Sequence, residues 1–317
     1  EIRNCLVGSE MCIRDSYSEG SLSTDQILID IIANRPINMT INSDNSFPEI
    51  AKTGNSITIL TTFDEDVEYP SLFLEGNSMS ITTLVESREY SATYTLDGSE
   101  SEGELEFTIT ATDYLGNQDE YSQTTDNSSV YYDKTLPSLN SVNIISNNPR
   151  NSAWAKSENL ITITFQASED IAHPSVNIQS QVANVTALGS NQFSAEYISS
   201  PDDTEGIVQF EILFYDIAGN NGETVTSTTD NSFIIYDTTP PSNFLVGNLN
   251  PVGGNIVLSY WNSTNTGMDI DIPIDNDTTL ENGQVQVYMR IGDYNFEPIG
   301  DISAIEVNEL GESKTLS

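Results

Sequence analysis

Two five-residue stretches decide how this sequence folds: Asp113-Tyr114-Leu115-Gly116-Asn117 and Asp216-Ile217-Ala218-Gly219-Asn220. Each follows a run in which apolar and polar residues alternate. Leu105, Phe107, Ile109 and Ala111 precede the first; Val208, Phe210, Ile212 and Phe214 precede the second. A period of two is strand chemistry, with one face on a core and the other in water. The Asp-x-x-Gly-Asn that ends each run is turn chemistry. The two stretches lie 103 residues apart, and their surroundings recur with them.

Working outward, Ala51-Lys52 returns as Ala155-Lys156, Ile57-Thr58-Ile59 as Ile161-Thr162-Ile163, and Glu65-Asp66 as Glu169-Asp170, all at an offset of 104. Tyr90, Ala92 and Tyr94 match Phe193, Ala195 and Tyr197 at 103. The offset is again 104 for Thr125-Asp126-Asn127-Ser128 against Thr229-Asp230-Asn231-Ser232. It holds for Tyr132-Asp133-Lys134-Thr135-Leu136-Pro137 against Tyr236-Asp237-Thr238-Thr239-Pro240-Pro241. One deletion and one later insertion, each of a single residue, explain the changes, and loops tolerate both. A repeat of this length, built from several short alternating runs separated by Gly, Asn, Asp and Pro, predicts an antiparallel sandwich. No segment carries a capped helical stripe.

The boundaries follow. Residues 37–137 form repeat one and 138–241 repeat two, joined by short proline-containing linkers that favour a stiff, extended array. Residues 17–36 hold Thr24-Asp25 and Pro36 at the spacing of a repeat end, which predicts the last strand of an earlier repeat or a linker. Residues 242–317 lack the Asp-x-x-Gly-Asn signature. Strands are expected there at Asn255–Tyr260, Asp269–Ile274 and Gln284–Ile291, in a third sandwich of another subtype, cut short. Both cysteines, Cys5 and Cys12, fall in the first twelve residues, so no disulfide framework holds the body. The segment Asn4–Ser16 resembles a translated adapter fragment; the other reading is an ordinary disordered terminus. Residues 1–16 are set aside from fold reasoning on either ground. The chain thus reads as an internal fragment of a longer protein.

Charge excludes whole classes of function. Of 317 residues, 48 are acidic and 10 basic, a formal net charge of −38. Phosphate backbones and anionic bilayers would repel such a surface, so nucleic acid is excluded as a partner. No apolar run of about 18 residues exists to span a membrane. The single histidine, His173, rules out a repeated His-based catalytic or zinc site, and no Gly-x-Ser-x-Gly elbow occurs. Acidic pairs recur in both repeats, as structural features do, so catalysis is not expected.

The strand followed by Asp-x-x-Gly-Asn, then Thr-Asp-Asn-Ser and Tyr-Asp-x-Thr-x-Pro, resembles the tandem immunoglobulin-like (Ig-like) repeats of large bacterial surface and secreted proteins. The likeness covers both repeats and, more weakly, the last 75 or so residues, where Tyr260–Gly267 and Ile272-Pro273-Ile274 look like a related adhesin module. It implies an all-β fold of tandem Ig-like sandwiches in an extended array, an extracellular or cell-surface setting, and a role as stalk, spacer or adhesive segment. Its partners would be neighbouring repeats and a surface glycan or protein. The alternatives are a glycan- or protein-binding module and an accessory region of a secreted enzyme whose catalytic domain lies outside this fragment.

Calcium is the cofactor these residues suggest, since it takes six to eight oxygens from carboxylates, amides and carbonyls. Repeat one offers Asp64, Glu65, Asp66, Asp113, Asn117, Asp126 and Asp133; repeat two offers Glu169, Asp170, Asp216, Asn220, Asp230 and Asp237. Asp133 and Asp237 stand at the repeat junctions. The competing reading is that Asp and Asn close turns through their own backbone, and no EF-hand spacing is present. Trp154 and Trp261 are candidates for stacking on a sugar ring. Trp154 aligns with Ile50, which favours packing instead.

Overall fold

The computed structural model describes residues 4–7, 10–13, 29–30, 34–242, 246–258 and 260–316. Most of the proposed terminal strand at 17–36, including Thr24-Asp25, lies outside them, as does part of 1–16; within the described stretches Asn4–Val7 pairs with Glu10–Ile13, and Ile29–Asp30 adds to that pair.

Alternation builds repeat one as the sequence predicts. In the strand Ser56–Phe63, Ile57, Ile59, Thr61 and Phe63 are buried, while Ser56, Thr58, Leu60 and Thr62 point outward. Its neighbours are Pro36–Ser43 on one side and Glu89–Thr95 on the other, with Ile59 opposite both Ile41 and Ala92. Ser80–Val85 completes this four-stranded antiparallel sheet. The facing sheet runs Gln118–Tyr121, Phe107–Thr112, Ser71–Leu74, Asn77–Ser78. Its inward residues Leu72, Leu74, Phe107, Ile109 and Ala111 meet Met39, Ile41, Ile57, Ile59, Phe63 and Ala92 in one core. A short ribbon pairs Ile50–Ala51 in parallel with Tyr131–Tyr132, which is antiparallel to Gly103–Glu104. First, second, fifth and fourth long strands in one sheet, and third, sixth and seventh in the other, is the immunoglobulin order.

Repeat two follows the same order, with the counterpart of Gln118–Tyr121 reduced to the bridges Ile212–Val225 and Tyr215–Asn221. Its first sheet runs Leu139–Ser146, Leu160–Ala167, Gln192–Ile198, Asn184–Gly189; its second contains Gln181–Val182, Ile171–Ile178 and Phe210–Asp216. The parallel ribbon recurs as Trp154–Ala155 against Ile235–Tyr236. In both ribbons a fully buried tyrosine is anchored by its hydroxyl. Tyr132 shares a 2.6 Å hydrogen bond with Thr53 Oγ1, and Tyr236 donates to the Ser200 carbonyl. The buried phenol thus keeps its polar end satisfied.

The Thr-Asp-Asn-Ser motif locks the edge of the first sheet. Thr125 Oγ1 accepts from the Met39 amide at 2.8 Å, and Ser128 Oγ accepts from the Ile41 amide at 2.9 Å. Thr229 with Val142 and Ser232 with Ile144 repeat this at 2.9 and 3.0 Å. Side-chain hydroxyls thereby satisfy amides that a missing neighbour strand would otherwise leave open.

Residues 246–258 and 260–316 depart from the unit. Leu249–Val252, Gly267–Pro273 and Ser313–Leu316 form one sheet, Gln284–Met289 and Glu297–Ala304 another. Ile270, Ile272 and Ile274 are buried together with Val285 and Ile305. Where a strand is expected at Asn255–Tyr260, residues 255–258 lie in a turn. Gly253 and Gly254 have positive φ, and Asn255 bonds to the loop that follows, its amide to Thr264 Oγ1 and its carbonyl to Asn262 Nδ2. The strand lies earlier, at Leu249–Val252. No helix among the described residues is long and apolar enough to cross a membrane.

The chain divides into two compact units. The first holds the described residues up to Pro137 together with two loops of repeat two, Glu169–His173 and Phe214–Glu223; the second holds the remainder. The candidate site lies wholly within the first.

Candidate metal centre

Asp216 ends the strand Phe210–Asp216 at an inward position, in register with buried Ile212 and Phe214, and is 1% exposed. A carboxylate there needs donors, and the turn supplies them. Asp216 Oδ1 accepts from the Asn220 amide and Oδ2 from Asn220 Nδ2, both at 2.8 Å. Gly219 closes the turn at φ +89°, a value that favours glycine. Asp113 builds the same turn in repeat one. Its Oδ1 accepts from the Leu115 and Asn117 amides at 2.8 Å, and its Oδ2 from Asn117 Nδ2 at 2.7 Å. Burial alone would raise the Asp113 pKa; the hydrogen bonds from Asn117 and Leu115 outweigh it and hold the carboxyl below its ordinary value.

Asp133 follows the ribbon strand Tyr131–Tyr132. Its amide donates to the Ala51 carbonyl at 2.9 Å, and Oδ1 accepts from the Thr135 amide at 3.0 Å. Glu102 fixes the chain just beyond, accepting from the Lys134 amide, the Thr135 amide and Thr135 Oγ1 at 2.8, 2.6 and 2.7 Å. Glu169 comes from the loop between Leu160–Ala167 and Ile171–Ile178. One carboxylate oxygen from each of Asp133, Glu169 and Asp216 lies within 4.8 Å of the other two. Asn220 Nδ2 also donates to the Asp133 carbonyl at 3.1 Å, tying the two loops together.

The electrostatics follow from this crowding. Burial, and then the negative charges of Asp133, Asp216, Glu102 and Asp170, push the Glu169 carboxyl up. Burial pushes Asp133 up too, with Asp216 and Glu102 adding to it against the hydrogen bond from Thr135. Oxygens at 2.3–2.6 Å from a common calcium ion sit at most about 5 Å apart, so the 4.8 Å limit fits one coordination sphere. An all-oxygen donor set suits a hard cation such as calcium or magnesium better than zinc.

The remaining candidates are placed elsewhere. Asp64 accepts from the Arg35 amide at 2.7 Å and from Arg35 Nε at 3.3 Å; Asp66 accepts from Arg88 Nε at 2.6 Å. Asp126 and Asp230 close their turns on the amides of Ser128 and Ser232 at 2.9 and 3.0 Å, and Asp230 also accepts from Asn143 Nδ2 at 2.6 Å. Asp237 accepts from the Thr239 amide at 2.8 Å, as Asp133 does from Thr135. Asn117 closes its own turn, Asp170 adjoins Glu169, and Glu65 is the repeat-one counterpart of Glu169. Three residues that the sequence reading passed over matter here: Glu102, Asn45 and Lys52. A signal existed for the first, since Glu102-Gly103 recurs as Glu205-Gly206. Glu205 repeats its role, accepting from the Thr238 amide at 2.9 Å.

The tryptophans separate. Trp154 is half-buried in the parallel ribbon opposite Ile235. Trp261 is 54% exposed and borders an open apolar groove of about 750 Å³ with Met268, Val287, Met289 and Leu316.

No family model matches the chain, and no curated protein matches it. Solved structures do. A Ca2+-stabilised adhesin of an Antarctic bacterium, described as helping it reach out and bind ice, is 13% identical over 96% of this chain and 71% of its own, with a TM-score of 0.45. The D00–D0 domain of intimin is 14% identical over 59% and 98%, with a TM-score of 0.26. The tandem Ig repeats of Dlar are 8% identical over 64% and 98%, with a TM-score of 0.21. Strand order, the parallel ribbon and the paired cores make each repeat of this chain an immunoglobulin-like β-sandwich.

Proposed function

We propose that this chain is a non-catalytic structural or adhesive segment of a bacterial cell-surface or secreted protein, stiffened by calcium at the junction following repeat one. The observation that carries the reading is the convergence of Asp133, Glu169 and Asp216 from three separate segments on one small volume. Three carboxylates brought so close repel one another, and a divalent cation converts that repulsion into cross-linking. Asp133, Glu169 and Asp216 would hold the ion, with Asn220 orienting two of the three segments. The Ca2+-stabilised adhesin among the structural neighbours is consistent with this role, as is a surface location.

The test is thermal unfolding of the full chain in calcium, in magnesium and in chelator at fixed ionic strength. A ligand that binds only the folded state raises the midpoint by mass action. A rise specific to calcium, lost in Glu169→Gln, supports the reading. Identical midpoints in calcium and magnesium would reduce the cluster to a crowded turn.

A further inference from the structure

The Asp-x-x-Gly-Asn loop occurs twice, and in both the terminal Asn gives its amide and its Nδ2 to the Asp carboxylate, yet the surroundings differ. In repeat one Tyr114 and Leu115 are 62% and 66% exposed; in repeat two Ala218, the counterpart of Leu115, is 3% exposed. Two side chains of repeat one bond the backbone of the second loop. Lys52 Nζ donates to the Gly219 carbonyl at 2.5 Å, and Asn45 Nδ2 donates to the Ala218 carbonyl at 2.9 Å. Asn55 ties the Asn45 side chain to the Lys52 backbone. Asn45 Nδ2 also bonds Asn55 Oδ1 at 3.1 Å, and that same oxygen accepts from the Lys52 amide at 2.9 Å. A Cβ at position 219 would stand 3.3 Å from Lys52 Nζ, a tight contact with the end of a flexible side chain, while the φ of +89° is what favours glycine there.

We infer that Lys52 and Asn45 form a latch that holds the Asp216–Asn220 loop in place without any cation. The turn is preformed, as its undocked twin shows, so docking costs little loop ordering. The latch reads the backbone carbonyls of Ala218 and Gly219 and no side chain of the loop. Removing the latch should therefore make the joint depend on the ion; with the latch intact, it forms in chelator. The inference rests on the docked geometry alone, so it stands or falls separately from calcium binding.

Thiol accessibility tests it. In the full chain with Cys5→Ser and Cys12→Ser, Ala218→Cys reports docking and Leu115→Cys reports the undocked loop. In chelator, Ala218→Cys should label at least tenfold more slowly than Leu115→Cys. Adding Lys52→Met and Asn45→Ala should bring the two rates within about threefold, while Lys156→Met, at the equivalent exposed position of repeat two, leaves them apart. Lys52→Met alone keeps the Asn45–Asn55 contact and serves if the double variant melts early. Equal labelling of the two reporters with the latch intact would overturn the inference. So would a position 218 that stays slow in chelator after both donors are removed from a folded chain. Whether calcium further slows Ala218→Cys bears only on the metal site.

Discussion

Glu169 gives the site a pH dependence whose sign can be worked out. Its folded pKa lies above the ordinary carboxylate value because burial and four neighbouring acids disfavour its charge. In that interval the folded state holds more protons than the unfolded one, so metal-free stability falls as pH rises through the raised pKa and is regained as pH drops toward the ordinary value. Asp133 acts in the same direction. Asp230 acts oppositely and in another window: hydrogen bonds from Ser232 and Asn143 lower its pKa to about 2, so its contribution is lost only as pH falls from 3.8 toward that value. In chelator, Glu169→Gln should melt above the parent at neutral pH, and the gap should close on acidification toward the ordinary carboxylate pKa. In calcium the order should reverse, because the ion needs the charged carboxylate. Parallel melting curves for parent and variant across this range, with and without calcium, would show that Glu169 faces neither the acids nor an ion. The latch residues act at the same scale through hydrogen bonds instead of titration.

Strand pairs show a second kind of compensation. Phe214 of repeat two occupies the place of Ala111 in repeat one, and Gly222 the place of Asp119, which is opposite Ala111. The Gly222 amide bonds the Phe214 carbonyl at 3.0 Å, and a Cβ on Gly222 would come within 2.2 Å of the Phe214 ring. A large residue on one strand thus requires none on the next. Gly222→Ala should destabilise by about 1–3 kcal/mol through overpacking, and Phe214→Ala in the same chain should recover part of that loss in chemical denaturation. The edge lock predicts another element-scale cost. Thr229→Val keeps the shape but removes the acceptor for the Val142 amide, for about 1 kcal/mol. Such features mark the limit of what the sequence made legible. The inward sets Ile57, Ile59 and Phe63, and Leu105, Phe107, Ile109 and Ala111, were readable because burial follows a local period of two. The Thr-Asp-Asn-Ser motif was visible as a repeat, but its purpose was not, since the amides it satisfies lie 86 and 87 residues away. The acid of that motif drew attention as a ligand, while its hydroxyls do the pairing. The strand at Leu249–Val252 was missed because Pro251 reads as a breaker, and the turn at residues 255–258 depends on Thr264 and Asn262 beyond it.

At the scale of the whole molecule, 48 acids against 10 bases leave nearly every region negative. Self-repulsion opposes the compact state, and salt screens it over a Debye length of about 10 Å at 0.1 M. Monovalent salt should therefore stabilise this chain gradually, with no saturation tied to site occupancy. Calcium acting at Asp133, Glu169 and Asp216 should behave differently, saturating at a concentration set by one affinity. The two effects separate in a grid of melting midpoints over sodium chloride and calcium. In the parent, a saturating calcium step should ride on the smooth salt trend, and added salt should weaken the apparent calcium affinity by screening the cluster. In Glu169→Gln the step should vanish while the salt trend persists, because one carboxylate of 48 scarcely changes the net field. If calcium merely reproduces the salt trend at matched ionic strength, in parent and variant alike, the acids act as a diffuse charge and no discrete ion holds the junction.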